Sequence, residues 1–286
     1  MQAILILAHK NEEQIYLLAE RLRLQFLVYI HFDKKYNLSA QYEYKIKSLP
    51  NVFLIERINV QWGGWSIVQA TINLMDAALK NPCVDYVHVI SGQCWPVCDV
   101  GEIYDFFNDN EKIYINYQLA DGICKSYEPI TFWQKYYFNY DSLNRKSLFG
   151  KFYHRVLIIF QTIFRVNKLK KFNINMPLYT GSNWVSMPRY AVEYCLEFLK
   201  ENTNYLNLFR TGFCSDEFWI QTILCNSIYF NRIENNNYRY INWIKKYDNY
   251  PAILDENDYE SISNEKYFWA RKIDINISNK LIELLK

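Results

Sequence analysis

Glycine and proline are scarce in this 286-residue sequence, at 8 and 7 residues. That excludes collagen-like repeats and linker-rich designs. Charge of one sign is lacking as well: 32 Lys and Arg stand against 30 Asp and Glu, a formal net charge of +2. So neutral a chain is not a dedicated nucleic-acid binder. Cysteine pairing is lacking. The seven cysteines are odd in number and dispersed, no CxxC occurs, and the nearest pair is Cys94 and Cys98. Neither a disulfide framework nor a zinc site is expected, since zinc would need a second ligand pair at suitable spacing. No apolar run can span a bilayer, and the run from Ala3 to Ala8 is shorter than a signal-peptide core and has no basic residue ahead of it. The expectation is a soluble, cytoplasmic protein, at most peripheral at the inner face of the cell membrane.

Several chemistry-bearing signatures are missing too. GxGxxG, GxxxxGK[ST], GxSxG and HExxH do not occur, which argues against dinucleotide-binding, P-loop, serine-hydrolase and zincin sites. Asp-x-Asp is also absent. That carboxylate pair is the usual device by which an α/β enzyme holds a nucleotide-sugar through a divalent cation.

What is present is apolar and aromatic: 50% of residues are hydrophobic and 18% are Phe, Trp or Tyr. This composition is ample for a core and excludes disorder as the main state. Surplus Tyr and Trp also line sites that stack on sugars and bases. The first half alternates strand-like runs (3–8, 26–33, 52–56, 85–91) with helix-like ones (12–23, 66–80, 100–109). In the first helix Ile15, Leu18 and Leu22 recur at spacings of three and four, as an amphipathic helix requires. Such alternation predicts a parallel, doubly wound α/β sheet, with its ligand at the carboxyl ends of the strands. Those ends carry Ala8–His9, His31–Asp33 and Ser91–Trp95.

The middle is irregular and hides an asymmetry. From Ser142 to Val192 there is no Asp or Glu but there are nine bases, among them Arg145, Lys146, Lys151, Arg155, Arg165, Lys170 and Lys171. The segment 149–172 mixes them with Phe and Ile. It reads either as an interfacial helix facing anionic lipid or as a core helix with a solvated basic face. Further on, strand and turn are expected at 178–188, helices at 189–202 and 215–226, short strands at IYFNR (228–232) and RYINW (239–243), and a closing helix from Ser278. Ser215 or Asp216 would cap the 215–226 helix.

Three local features could carry chemistry. Asp216 and Glu217 would lie in the first turn of a helix, where partial positive charge favours a carboxylate; they are either simple caps or a general base. Arg271 and Lys272 follow an aromatic pair and could clamp a diphosphate, or merely be solvated. WGGW (62–65) sets Trp62 and Trp65 about two glycines, which would let a ligand approach backbone, or simply make a turn between two core anchors.

Taken in order, AHKN, IHFDKK, WGGWSIVQA, HVISGQCWPV, LYTGSNWVSMPRY, SDEFWIQTIL, RYINW and FWARKID resemble the core-2/I-branching N-acetylglucosaminyltransferases and peptide O-xylosyltransferases, glycosyltransferase family 14. The resemblance runs from residue 3 to about 274 and is diffuse over 111–175. Brevity and the missing anchor resemble a bacterial member. The resemblance implies a single GT-A-like, Rossmann-type α/β domain over 1–286, with a mostly parallel sheet flanked by helices. Residues 1–110 would form the donor-nucleotide half and 111–286 the acceptor and catalytic half. It implies a membrane-associated role in polysaccharide biosynthesis: metal-independent, inverting transfer from a UDP-sugar to a glycan hydroxyl, the acceptor being a polyprenyl-diphosphate-linked capsule or O-antigen intermediate.

By motif, Glu217 matches the catalytic base and Lys272 a base on the donor diphosphate, with Arg271 sharing that task. The family's second diphosphate-binding arginine has no match, leaving Arg271 or Lys266 as substitutes. Asp33 matches a nucleoside contact and Trp62 an aromatic beside the uridine. His9 and Ser91 join the donor site, and Trp243 with Asp216 the acceptor site. Where many members carry an acid in the segment SGQCWP, this chain has Cys94. GlcNAc is the default sugar; xylose, galactose and galactofuranose are alternatives. Outside that class stand a catalytically idle glycan-binding module and a nucleotide-sugar hydrolase.

Overall fold

A computed structural model describes residues 1–120, 131–143 and 147–285. Cys124, Arg145 and Lys146 lie outside the described residues. Twelve short strands occur among the described residues: β1 (Gln2–Ala8), β2 (Leu27–Phe32), β3 (Val52–Leu54), β4 (Tyr86–Ser91), β5 (Trp95–Pro96), β6 (Ile113–Tyr114), β7 (Tyr117–Leu119), β8 (Tyr179–Gly181), β9 (Ser186–Pro188), β10 (Ile233–Glu234), β11 (Arg239–Ile241) and β12 (Trp269–Arg271). The first four helices are α1 (Glu12–Leu22), α2 (Ala40–Lys47), α3 (Trp65–Leu79) and α4 (Val100–Phe107). All the segments expected in the first half form, within two residues of their expected ends. Helix α2 and the helix Thr203–Arg210 were not anticipated.

The main sheet has the order β10-β6-β9-β4-β1-β2-β3. Strands β1 to β4 are mutually parallel, as the alternation requires, but β9 runs antiparallel to both β4 and β6. The sheet is thus mostly parallel, as expected, with β9 as its antiparallel member. A polar relay fixes the β1–β4–β9 register: the buried His88 ring meets Ser186 Oγ at 2.9 Å and Gln2 Oε1 at 3.2 Å. Burial holds His88 well below the usual imidazole range, so it stays neutral.

Both faces of the sheet are covered, which is why β1, β2 and β4 read as apolar runs rather than alternations. Ala3, Leu5, Tyr29, Val87 and Val89 point into one core, shared with α3 and the helices Arg189–Glu201 and Trp219–Cys225. Ile4, Ile6, Val28, Ile30 and Ile90 point into the other, shared with α1 and α4. Odd and even positions thus part between two cores, as the period of two demands. The sheet β11-β12-β5 carries the C-terminal motifs, with β12 antiparallel to β5 beside the end of β4.

Two expectations for the last third are corrected. The 215–226 helix is interrupted: Ser215–Glu217 is one 3-10 turn, Phe218 leaves helical geometry at φ −145°, and the α-helix proper is Trp219–Cys225. Neither Ser215 nor Asp216 caps it. The Ser215 hydroxyl instead donates to Phe209 O at 2.5 Å. Likewise IYFNR is no strand; it makes a 3-10 turn at Phe230–Arg232, and pairing begins only at Ile233.

Candidate active site

A cleft of about 1850 Å³ opens at the carboxyl ends of β1, β2 and β4. His9, Asp33, Trp62, Ser91, Asp216, Glu217, Trp243, Arg271 and Lys272 all line it. The nine residues singled out in the sequence thus meet in one place, although up to 263 positions separate them.

Its floor is built by strand ends. Asp33, just past β2, accepts the Lys35 and Val60 N–H groups on Oδ1 at 3.0 and 3.1 Å, while Lys35 Nζ lies 3.7 Å from Oδ2. It thereby ties the loop after β3 to the cleft. His31 supports the same loop, accepting the Ile58 N–H on Nε2 at 3.0 Å. Burial lowers its pKa to about 4, so the ring is neutral and that lone pair is free to accept. Ser91, at the end of β4, accepts the Gln93 N–H at 3.2 Å and meets Cys94 Sγ at 3.3 Å. Cys94 itself is fully buried and does not line the cleft.

The WGGW segment forms the rim. Gly63 takes φ +73°, which glycine tolerates best. Gly64 N-caps α3 at ordinary φ, but a Cβ there would lie 2.0 Å from Asp141 Oδ1. That oxygen accepts from Ser66 N at 3.2 Å and Ser66 Oγ at 2.6 Å. The close approach that Gly64 permits is therefore made by the chain's own Asp141, while the space beside Gly63 is taken by the Phe213 ring. Trp65 packs on the core, whereas Trp62 is 64% exposed, edge-on to Phe213. Across the cleft Trp243, 62% exposed, leans on Tyr250 with ring centroids 5.6 Å apart.

The two charged groups lie in the same cleft. Cys214, at φ +52°, turns the backbone into the 215–217 segment, and its N–H bonds Gly63 O at 2.9 Å. Thr180 Oγ1 donates to Glu217 O at 3.1 Å. Burial pushes the Asp216 carboxyl up to about 6, and its Oδ1 has no partner among the described residues. Glu217 beside it is exposed.

On the cationic side the Arg271 guanidinium stacks over Trp184 at 4.5 Å. Burial lowers its pKa, an effect that Cys94 and Glu217 oppose. Among the described residues its side chain makes no hydrogen bond or ion pair, and its Nε is buried without a partner. Lys272 donates to Tyr250 O at 3.2 Å. Its pKa is lowered by burial first, then by Arg271 and Lys10. His9 is lowered by burial first, then by Lys10, Arg271 and Lys272, against Asp33. Lys10, which reaches Asp274 at 3.4 Å, was not singled out in the sequence beyond its place in AHKN. Trp184 went unassigned too, though it lies in the quoted LYTGSNW segment. Lys266 also lines the cleft, but its ammonium rests over Phe106 at 4.2 Å and Phe268 at 5.5 Å.

Gln93 Nε2, Asn183 Oδ1, Asp216 Oδ1 and Arg271 Nε all belong to cleft residues, and each is buried without a partner among the described residues. Native folds rarely leave such groups unpaired except where a ligand or ordered water completes them.

A family model for Core-2/I-Branching enzymes matches residues 3–265. The chain belongs to that family, a glycosyltransferase family. It is 23% identical over 250 residues to Xylosyltransferase sqv-6 of Caenorhabditis briggsae, a match covering 85% of this chain and 28% of that protein. The chain therefore spans less than a third of that curated relative's length. Among solved structures, the bifunctional glycosyltransferase WbbM is similar at 13% identity and a TM-score of 0.41, covering 99% of this chain and 50% of its own. Core-mannan synthase A (CmsA/Ktr4) from Aspergillus fumigatus is similar at 9% identity and a TM-score of 0.38, covering 82% and 72%.

Proposed function

We propose that this protein, with a GT-A-like fold, transfers a sugar from a UDP-sugar to a glycan hydroxyl, with inversion and without a metal ion. The observation that supports the reading is the pairing of Arg271, whose side chain has no polar partner among the described residues, and its neighbour Lys272 with a carboxylate pair in one cleft. In this mechanism Glu217 accepts the proton of the acceptor hydroxyl. The acceptor oxygen attacks the anomeric carbon, the bond from that carbon to the diphosphate oxygen breaks, and UDP leaves with the electron pair. Arg271 and Lys272 neutralise the charge that grows on the diphosphate, electrostatic stabilisation of the kind a metal supplies elsewhere. Asp33, His9, Ser91 and Trp62 hold the nucleoside end, with Trp62 offering an exposed stacking face. Trp243 and Asp216 hold the acceptor. The donor half, 1–110, is thus closed by Arg271, the last residue of β12, and by Lys272 just after it.

GlcNAc is the first donor to test and xylose the second, because a relative is named a xylosyltransferase. The acceptor we infer is a lipid-linked glycan intermediate. A thermal-shift panel of UDP-sugars followed by product mass analysis tests donor and transfer together. A positioned general base contributes about 10²–10⁴-fold. Glu217→Gln should therefore lose turnover on that scale while melting like the parent, and activity should persist in EDTA. Turnover of the Gln variant at the parent's rate would remove Glu217 from the role of base. Loss in EDTA that Mn²⁺ restores would overturn the metal-free mechanism.

A further inference from the structure

The helix Leu148–Ile163 has its amphipathicity reversed. Its buried positions are Gly150, His154 and Gln161. Gln161 is held inward by polar contacts: its Oε1 accepts the Tyr136 N–H at 2.7 Å, its Nε2 donates to Tyr136 O at 2.9 Å, and its carbonyl accepts from Lys135 at 3.2 Å. The opposite face presents Leu148, Phe149, Phe152, Ile159, Phe160 and Ile163. Their exposure runs from 52% at Ile159 to 87% at Leu148. At 3.6 residues per turn these six fall on one stripe about 24 Å long. Phe164, at the C-cap, is 72% exposed and continues it. A soluble helix turns such a stripe inward, and contiguous apolar patches left outside mark a partner. Of the two readings open in the sequence, the core helix with a solvated basic face is not the one found.

The rim of this stripe is basic. Lys151, Arg155, Arg165, Lys170 and Lys171 are exposed around it, and no acid occurs from Ser142 to Val192. We propose that this face lies in the headgroup and acyl boundary of an anionic bilayer, with Phe and Ile inserted and the bases on lipid phosphates. A second copy of the chain fits poorly, because a two-fold contact would set these bases against themselves. The apolar side chains on this face offer no row of hydrogen-bonding groups, so it suits a deformable partner rather than a directional one. No helix among the described residues is long and apolar enough to cross a membrane, so the contact is peripheral.

The docked helix would bring the cleft to the surface. The His154 ring lies 5.0 Å from Tyr140, Tyr140 lies 5.1 Å from Phe213, and Phe213 lies 5.6 Å from Trp62 at the cleft rim. That last consequence rests on the lipid-linked acceptor proposed above; the docking itself does not.

Flotation of the full chain with phosphatidylglycerol and with phosphatidylcholine vesicles tests it. At low salt the protein should partition at least tenfold better to the anionic vesicles, and high salt should weaken this. Phe152→Glu with Ile159→Glu should abolish flotation. Lys151→Glu with Arg155→Glu should reduce it at least about 25-fold, at roughly fivefold per base. Both pairs are exposed, so UDP-induced thermal shift should match the parent. No flotation at low salt would overturn the inference, as would flotation indifferent to both double variants. So would a vesicle-independent dimer that Phe152→Glu with Ile159→Glu converts to monomer. Loss of UDP binding with flotation intact would instead count against the proposed function alone.

Discussion

Arg271 and Lys272 are neighbours in sequence but differ in surroundings. Arg271 is deep, stacked on Trp184 and without a polar partner among the described residues. Lys272 is shallower and is held by the Tyr250 carbonyl. An anion entering the cleft would satisfy Arg271 outright, whereas Lys272 would have to exchange one acceptor for another. The two residues should therefore contribute unequally. A hydrogen bond to a charged group is worth about 1.5–3 kcal/mol. Lys272→Ala should weaken UDP binding by roughly 10- to 100-fold, readable by calorimetry, and Arg271→Ala should weaken it more. Equal affinity in Lys272→Ala and the parent would place the diphosphate elsewhere. The residue types here were legible, since ARKID and SDEFW are quotable from the sequence. The partner of Arg271 was not, because Trp184 lies 87 residues away and carries no local signal.

At the scale of elements, the most instructive failure is the 215–226 segment. Its apolar run reads as continuous helix, and a helix would have given Asp216 and Glu217 the benefit of an N-terminal dipole. The left-handed Cys214 and the break at Phe218 remove that argument. Glu217 is presented by a single 3-10 turn pinned to the Gly63 carbonyl and to Thr180. The WGGW turn shows the same dependence on distant chain. Gly64 is required by space rather than by φ, since its neighbour is Asp141, which in turn bonds Ser66 in the first turn of α3. Gly64→Ala should displace that carboxylate and cost roughly 1–3 kcal/mol in a urea melt. An unchanged midpoint would show that Asp141 can move aside freely. Helix Leu148–Ile163 is the third such case. Its sequence states that it is apolar and basic, and only its contacts reveal that the apolar stripe is the outward one.

At the scale of the whole molecule, two carboxyls set opposite pH dependences. Burial alone would raise Asp255. Lys246 at 2.7 Å, the Tyr247 hydroxyl at 2.7 Å and the Asn257 N–H instead hold it near a pKa of about 2. It lies below its unfolded value of about 3.9, so its stabilisation is present above pH 4 and is lost as pH falls toward 2. Asp216 is the converse case. With a folded pKa of about 6 it binds its proton more tightly folded than unfolded, so stability falls as pH rises from about 4 to about 6. Melting temperatures should decline across that interval in the parent, and Asp216→Asn should flatten the decline. An identical slope in the variant would show that Asp216 titrates as an ordinary surface acid.

The sequence alone determined the α/β class, the placing of the strands in the first half and the ligand-facing strand ends, because a doubly covered sheet needs apolar runs of strand length and helices of period 3.6. It also determined membership of a family, since eight short motifs keep their order from end to end. The tertiary structure decided the rest. It reversed β9 within the sheet, broke the helix beside Glu217, assigned Gly64 to Asp141 and turned the apolar stripe of residues 148–163 outward. Each of these depends on which distant segment occupies the adjoining space, and local propensity contains no term for that.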